Sequence, residues 1–379
     1  MFVLGTRPEV IKLAPVILRF RESPDFSIHV CSTGQHREML AQAFDAFGLS
    51  PDRELGLMGE NQTLAGLSAR VLDALDDLYR ATTPSLVIVQ GDTTTAMVGA
   101  LGSYYRRIPV AHVEAGLRTD NKYSPFPEEI NRRLIGSIAD LHFAPTTAAR
   151  DNLLREGVAG ASVHVTGNTA IDALLLTVRR QRNTALALRS LSGALIPEHE
   201  LAAKRLVLVT AHRRENHDKG LASICAAVAR IAQLPGALVV FSLHYNPNVR
   251  ATVLPLLERC DNVHLTEPLD YVSFCRAMER SYLILTDSGG IQEEAPSLGR
   301  PVLVMRDTTE RPEGIAAGNA RLVGTSTEEI VRQATALWSD AALYDRMRQA
   351  RNPYGDGHAA ERIHAVVANR LSPAPASAG

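Results

Sequence analysis

The feature that most restricts how this chain can fold is a unit that recurs along it. A short apolar run gives way at once to a polar, glycine-containing loop, and then to a helical pattern. Phe2-Val3-Leu4 runs into Gly5-Thr6-Arg7-Pro8-Glu9 and then Val10, Ile11, Leu13, Ala14, Val16 and Ile17 at helical spacing. Pro8 suits the first helical turn, where its missing N–H costs nothing. Residues 28–32 lead to Thr33-Gly34-Gln35-His36. Residues 85–89 end in Gln90-Gly91-Asp92-Thr93-Thr94-Thr95, ahead of a small-residue helix at 96–104. Residues 109–113 end in Glu114-Ala115-Gly116-Leu117-Arg118. Another amphipathic helix is expected near residues 64–79. Uninterrupted apolar strands alternating with helices are the mark of a parallel sheet covered on both faces. The spacing predicts a doubly wound α/β sheet, whose ligands bind at the carboxyl ends of the strands.

The second half repeats the theme. Residues 205–210 lead to Ala211-His212-Arg213-Arg214-Glu215, and residues 238–242 to Leu243-His244-Tyr245. Residues 282–286 lead to Asp287-Ser288-Gly289-Gly290, and residues 302–305 to Thr308-Thr309-Glu310-Arg311. At 379 residues the chain is too long for one ordinary core. Two Rossmann-like domains are expected, residues 1–170 and 171–357, with their loops facing a cleft. Residues 169–201 read as a largely helical bridge. Residues 358–371 read as a final helix, and the Ala/Pro/Ser-rich residues 372–379 as a disordered tail.

Composition narrows the function. Forty basic and 41 acidic side chains nearly cancel. They are scattered and aromatics are few, which speaks against nucleic acid and membrane surfaces as partners. Four cysteines with no C-x-x-C pair point to reduced thiols and a cytoplasmic location. His112-Val113-Glu114 begins like a zinc deaminase signature, but no P-C-x-x-C follows, so no metal is expected. There is no P-loop and no intact G-x-G-x-x-G.

Two sets of residues carry possible chemistry. Ser288, Gly289 and Gly290 open a helix after a buried strand, where backbone N–H groups can face an anion with no Cβ in the way. Glu293 and Glu294 follow; either complements the helix dipole or accepts from neutral hydroxyls such as those of a ribose. Asp92, Glu114 and Glu128 lie past strand ends or at a helix entry. Each alone reads equally as a cap or a surface acid. Converging on one cleft with Arg7 and His212, they read as an acid/base set beside a held anion. Gln35, His36 and His244 are polar loop residues that leave ligand contact open.

Gly5-Thr6-Arg7-Pro8-Glu9, Gly91-Asp92-Thr93-Thr94-Thr95, His112-Val113-Glu114-Ala115-Gly116-Leu117-Arg118, Pro127-Glu128-Glu129, His212-Arg213-Arg214-Glu215 and residues 287–296 occur in this order. Together they resemble the non-hydrolysing UDP-N-acetylglucosamine 2-epimerases of bacteria, over residues 5 to about 357. The resemblance implies two Rossmann-like domains of the glycosyltransferase B type, with the helix at 358–371 packing back on the first. It also implies a homodimer, no cofactor or metal, and interconversion of UDP-GlcNAc and UDP-ManNAc through 2-acetamidoglucal. On the same footing Asp92, Glu114 and Glu128 are the acid/base set, joined by His212. Arg7, Lys12, His212, Ser288, Gly289, Gly290 and Arg311 bind UDP or its diphosphate, Glu294 the ribose, and Phe274 lies by the uracil. Gln35, His36 and His244 match a second, activating UDP-GlcNAc site. Glu38 and Asn61 stand where some regulated members carry Gln and Arg, which implies weak or absent activation here. A modified UDP-2-acetamido sugar, a hydrolysing epimerase and a UDP-sugar glycosyltransferase of the same fold remain as alternatives.

Overall fold

The computed structural model describes residues 1–34, 37–57, 62–213 and 219–371. The expectations for Gln35, His36, Asn61, Arg214, Glu215 and the tail at 372–379 therefore lie outside the described residues. The chain divides into two compact units, one made of Met1–Ala173 and the residues from Gly355 on, the other of Leu174–Tyr354.

The first unit is built on seven parallel strands: β1 (Phe2–Leu4), β2 (Val30–Ser32), β3 (Arg53–Glu54), β4 (Val87–Gln90), β5 (Val110–Val113), β6 (Leu141–Ala144) and β7 (Val163–Val165). Their order is β3-β2-β1-β4-β5-β6-β7. Between them run α1 (Arg7–Arg21), α2 (Arg37–Ala46), α3 (Leu64–Thr82), α4 (Thr94–Tyr105), α5 (Glu128–Ile138) and α6 (Thr147–Arg155); α7 (Thr169–Arg180) follows. The apolar runs are buried for a physical reason. Val3, Val87, Val89 and Val110 all pack into one core with Val71, Leu75 and Tyr79 of α3.

The second unit has six parallel strands: β8 (Arg205–Thr210), β9 (Ala237–Ser242), β10 (Val263–Thr266), β11 (Ser281–Thr286), β12 (Val302–Val304) and β13 (Ala320–Leu322). Their order is β10-β9-β8-β11-β12-β13. Its helices are α8 (Glu198–Ala203), α9 (Lys219–Ile231), α10 (Pro247–Leu257), α11 (Tyr271–Arg280), α12 (Gly289–Glu294), α13 (Pro312–Ala317), α14 (Thr327–Ser339) and α15 (Ala341–Gln349). Cores lie on both faces of the sheet.

The last helix, α16 (Ala359–Leu371), belongs to the first unit and packs on α1. His364 meets Phe20 edge-on, ring centroids 4.8 Å apart. The side chain of Asp172 caps α16 from outside, accepting from Ala360 N–H at 2.8 Å.

One expectation needs correction. Residues 169–201 are not a continuous helical bridge. Helix α7 stops at Arg180; an irregular stretch with one antiparallel bridge, Arg189 to Leu195, leads to the short α8. Past Arg180 the chain turns, Thr184 N–H donating to Gln181 O, and Gly193 at φ +83° and Pro197 keep the later residues from resuming a helix before α8.

Each sheet has one place where its strands are wound in opposite directions from neighbouring positions, between β1 and β4 and between β8 and β11. Open α/β sheets bind ligands at such switch points.

Candidate active site

At the β1/β4 switch point lies a cavity of about 460 Å³, lined by Thr6, Arg7, Glu9, Lys12, Gln90, Asp92, Thr93 and Glu114 among others. The loop after β1 is shaped by a buried acid. Glu9 is 1% exposed. One of its oxygens accepts from Gly5 N–H at 3.0 Å and Thr6 N–H at 2.7 Å, and the other from the Thr93 hydroxyl at 2.7 Å. Thr6 caps Glu9 N–H in return, so the helix begins with a capping box. Burial pushes the Glu9 carboxyl upward, and the Thr93, Thr6 and Gly5 hydrogen bonds oppose it. The β1 and β4 loops are thereby tied together. Gly5 is required by crowding: a Cβ there would lie 2.3 Å from Thr33 Oγ1 and 2.5 Å from Thr95 Oγ1.

Asp92 follows β4 and is clamped from three sides. The His112 ring meets Gly91 O at 2.7 Å, Asn131 donates to Asp92 O at 2.9 Å, and Arg132 donates to Asp92 Oδ2 at 3.0 Å. Burial holds His112 neutral, down to about 3, so its Nε2 carries the proton it gives to Gly91. Burial, and then the Glu114 carboxylate, push Asp92 up to about 6 against the pull of Arg132 and Lys12. Such a group exchanges protons readily near neutral pH.

Glu114, the residue after β5, sits in the left-handed backbone region at φ +66°. That conformation costs a non-glycine residue on the order of 1 kcal/mol. Its carboxylate is fixed by Lys12, whose Nζ lies 2.6 and 2.8 Å from the two oxygens, and by Gln90. Lys12, expected on the substrate side, is thus the immediate partner of a catalytic candidate. Arg7 lines the same cavity, and its side chain makes no hydrogen bond to another described residue. Glu128 opens α5, and its buried Oε2 has no partner among the described residues. In isolation that is costly, on the order of 1–3 kcal/mol.

The second unit repeats the arrangement at its β8/β11 switch point. Asp287, fully buried, accepts from the backbone N–H of His212 and of Arg213, both at 2.9 Å, and faces His212 Nδ1 at 3.3 Å. His212 stacks on His244, ring centroids 5.4 Å apart. Helix α12 starts at Gly289 directly after Ser288 and is only six residues long. The anion-facing donors there are those of one turn, not the pole of a long helix. Gly289 faces Arg311, whose guanidinium is held by Glu293; a Cβ at Gly289 would be 3.6 Å from Arg311 Cζ. Glu293 is therefore the ion-pair partner of Arg311, buried in packing as well. Glu294 is half-buried beside Gly290. Phe274, on α11, packs against the core of this unit.

Comparison with known proteins fixes the family. The family described as UDP-N-acetylglucosamine 2-epimerase matches residues 18–368. The chain belongs to it. It is 51% identical to a probable UDP-N-acetylglucosamine 2-epimerase of Ralstonia nicotianae over 97% of this chain and 98% of that one. It is 49% identical to the UDP-N-acetylglucosamine 2-epimerase of Escherichia coli K12, over 98% of each. The crystal structure of the Neisseria meningitidis UDP-GlcNAc 2-epimerase bound to UDP-GlcNAc superposes with a TM-score of 0.84 at 43% identity, covering 97% of this chain and 99% of that one. The two-sheet α/β architecture is thus that of the family.

Within this family frame, Asp92, Glu114, Lys12 and Arg7 come together at one cavity of the first unit. His212, Ser288, Gly289, Gly290, Glu294 and Arg311 come from loops and a helix entry at the carboxyl side of the second sheet. Sequence reading missed the organisers. Glu9 was signalled by Thr-x-x-Glu ahead of an apolar run. Arg132 was signalled only by its i,i+3 relation to Glu129. Asp287 had no signal beyond its place at a strand end.

Proposed function

We propose that this chain interconverts UDP-N-acetylglucosamine and UDP-N-acetylmannosamine without releasing the free sugar, supplying ManNAc units for cell-surface polysaccharide. The observation that carries the reading is the cavity at the β1/β4 switch point. It gathers Asp92 and Glu114 with Arg7 and Lys12, while Glu128 opens the nearby α5 with a bare carboxylate oxygen. The C2 hydrogen of an N-acetylhexosamine is not acidic. It becomes removable when the C1–O bond to UDP breaks and C1 gains positive character. A carboxylate takes the C2 proton as UDP leaves, giving 2-acetamidoglucal. A second carboxylate returns a proton to the opposite face of C2, and UDP re-adds at C1. Two faces need two separately placed acids, and a raised carboxyl such as Asp92 suits either direction. The net change is an inversion with no oxidation, so electron balance requires no redox cofactor.

Arg7, His212, Ser288, Gly289, Gly290 and Arg311 hold the departing diphosphate, Glu294 the ribose, and Phe274 the uracil. Lys12 acts on the sugar side through Glu114. His244, stacked on His212, belongs to a second UDP-sugar site in this reading, with Gln35 and His36. The enzyme works in the cytoplasm as a homodimer. Supporting the latter, Ile130 and Leu134 form one exposed apolar face of α5, which packs beside α4 with its exposed Tyr104.

The test is UDP-GlcNAc incubated with the enzyme in D2O and followed by NMR. The expected result is UDP-ManNAc carrying deuterium at C2. Absence of exchange ends the epimerase reading, and accumulation of free ManNAc replaces it with hydrolysis.

A further inference from the structure

Arg132 lies in the second turn of α5 and is 7% exposed, an uncommon place for a guanidinium. It is shared between two acids. One side donates to Asp92 Oδ2 at 3.0 Å, and the other donates to Glu129 Oε2 at 2.8 Å. Glu129 has no solvent exposure and is itself fixed, by Thr119 N–H at 3.0 Å and by Arg133 Nε at 3.1 Å. Burial alone would raise the Glu129 carboxyl; Thr119 and Arg132 outweigh it and hold it below the usual range. Asn131, next to Arg132, grips the main-chain carbonyl of the same Asp92. The result is directional. Asp92 Oδ2 is taken, Oδ1 has no hydrogen bond among the described residues, and the side chain is 30% exposed, on the cavity wall.

We propose that Arg132, anchored by Glu129, is the positioning residue that turns the free oxygen of Asp92 into the cavity and sets its proton affinity for the C2 chemistry. The inference rests on the acid/base reading of Asp92. Arg132 touches no reacting atom; it works through Asp92. A planar guanidinium held at both ends fixes the carboxylate plane, which a flexible ammonium does not. As the counter-charge that favours ionised Asp92, it also keeps the neighbouring Glu114 from driving that carboxyl fully protonated.

The experiment compares the full-length enzyme with Arg132→Lys and Arg132→Gln, using pH–rate profiles for C2 exchange. A carboxyl 13C titration of Asp92, assigned by the signal lost in Asp92→Asn, runs beside it. Misorientation predicts a fall in kcat of ~10²-fold for Arg132→Gln and ~10-fold for Arg132→Lys, with KM little changed. Loss of the counter-charge predicts that the Asp92 titration and the matching limb of the profile move to higher pH by ~1 unit or more in Arg132→Gln. A purely structural role would lower the rate equally at all pH values and leave the titration in place, and that outcome overturns the proposal. If Arg132→Gln does not fold, Arg132→Met, neutral and of similar length, takes its place: an unmoved limb and titration reject the idea. Wild-type protein that exchanges no deuterium would refute the epimerase reading, while the 13C titration still decides whether Arg132 governs Asp92.

Discussion

The two sheets solve the same local problem in the same way and then diverge. In each, a buried acid at the switch point binds two successive backbone N–H groups of a strand-end loop: Glu9 holds Gly5 and Thr6 of the loop just before it, and Asp287 holds His212 and Arg213 after the adjacent β8. In each, a buried threonine pair links neighbouring segments beside that loop, Thr33 to Thr95 at 2.9 Å and Thr210 to Thr286 at 2.8 Å. The difference lies in what is built on this base. The first unit crowds its loops with its own carboxylates and cations, which perturb one another and acquire acid/base character. The second keeps a glycine pair open and places one arginine behind it. On this shared backbone engineering, one unit gathers mutually perturbing carboxylates and cations while the other leaves an open turn, and the difference lies in a few loop side chains.

The largest effect should come from the crowded loop. Glu114→Gln keeps the shape of the side chain, its contact with Gln90 and the backbone at φ +66°, but loses its proton-transfer capacity and the Lys12 pair. C2 exchange is expected to fall ~10³-fold, with UDP affinity by calorimetry nearly unchanged. Equal loss of both would erase the division between reaction and grip.

The two glycines sharpen the contrast next. Gly5→Ala forces a Cβ into the Thr33 and Thr95 hydroxyls and is expected to destabilise the fold by ~1–3 kcal/mol in denaturant titration. Gly289→Ala meets nothing closer than 3.6 Å within the protein. Its melting temperature should stay put while UDP binding weakens ~10-fold, because the methyl group stands where a phosphate would approach. A destabilised Gly289→Ala with unchanged UDP affinity would show that this turn is packing rather than a binding surface.

The smallest effect concerns stability. Asp92 is pushed up to about 6 in the folded protein, from 3.8. The folded state therefore holds its proton more tightly than the unfolded chain. The stability from this group is complete below the unfolded value and is lost as pH rises through about 6. Asp92→Asn should match wild type at pH 4 and melt ~2 °C higher at pH 7.5, while losing C2 exchange. An inactive variant that is not stabilised at pH 7.5 would mean that Asp92 is no more strained than an ordinary surface acid.

Much of this was legible in the sequence because buried parallel strands are short, apolar and punctuated. The runs ending at Leu4, Gln90, Val113, Thr210 and Thr286 announced both sheets and the loops that carry Arg7, Asp92, Glu114, His212 and Ser288. Two of the edge strands were not legible. β3 is the two exposed residues Arg53 and Glu54, and β13 is three residues with no apolar run of their own. Helix α7 was overextended because helical composition persists past Arg180, where a turn at residues 181–184 replaces the helical ladder. The site was legible as a set of loop residues but not as a set of contacts. Helical period places Arg132 beside Glu129, yet nothing local tells which strand end, forty residues earlier, its other side will meet. That information is tertiary.

Helix α16 gives the molecule an order of assembly. The first unit contains the start of the chain and its last helix, with all of the second unit encoded between them. On a ribosome, the apolar side of α1 around Phe20 is covered only by Phe2 and Phe26 among its ring contacts until His364 has been made. At ~5–20 residues per second that interval is on the order of ten seconds or more. The unit that holds Asp92 and Glu114 is begun first and finished last. A message truncated before residue 359 should yield a chain whose second unit can close while its first remains open to chaperones and proteases.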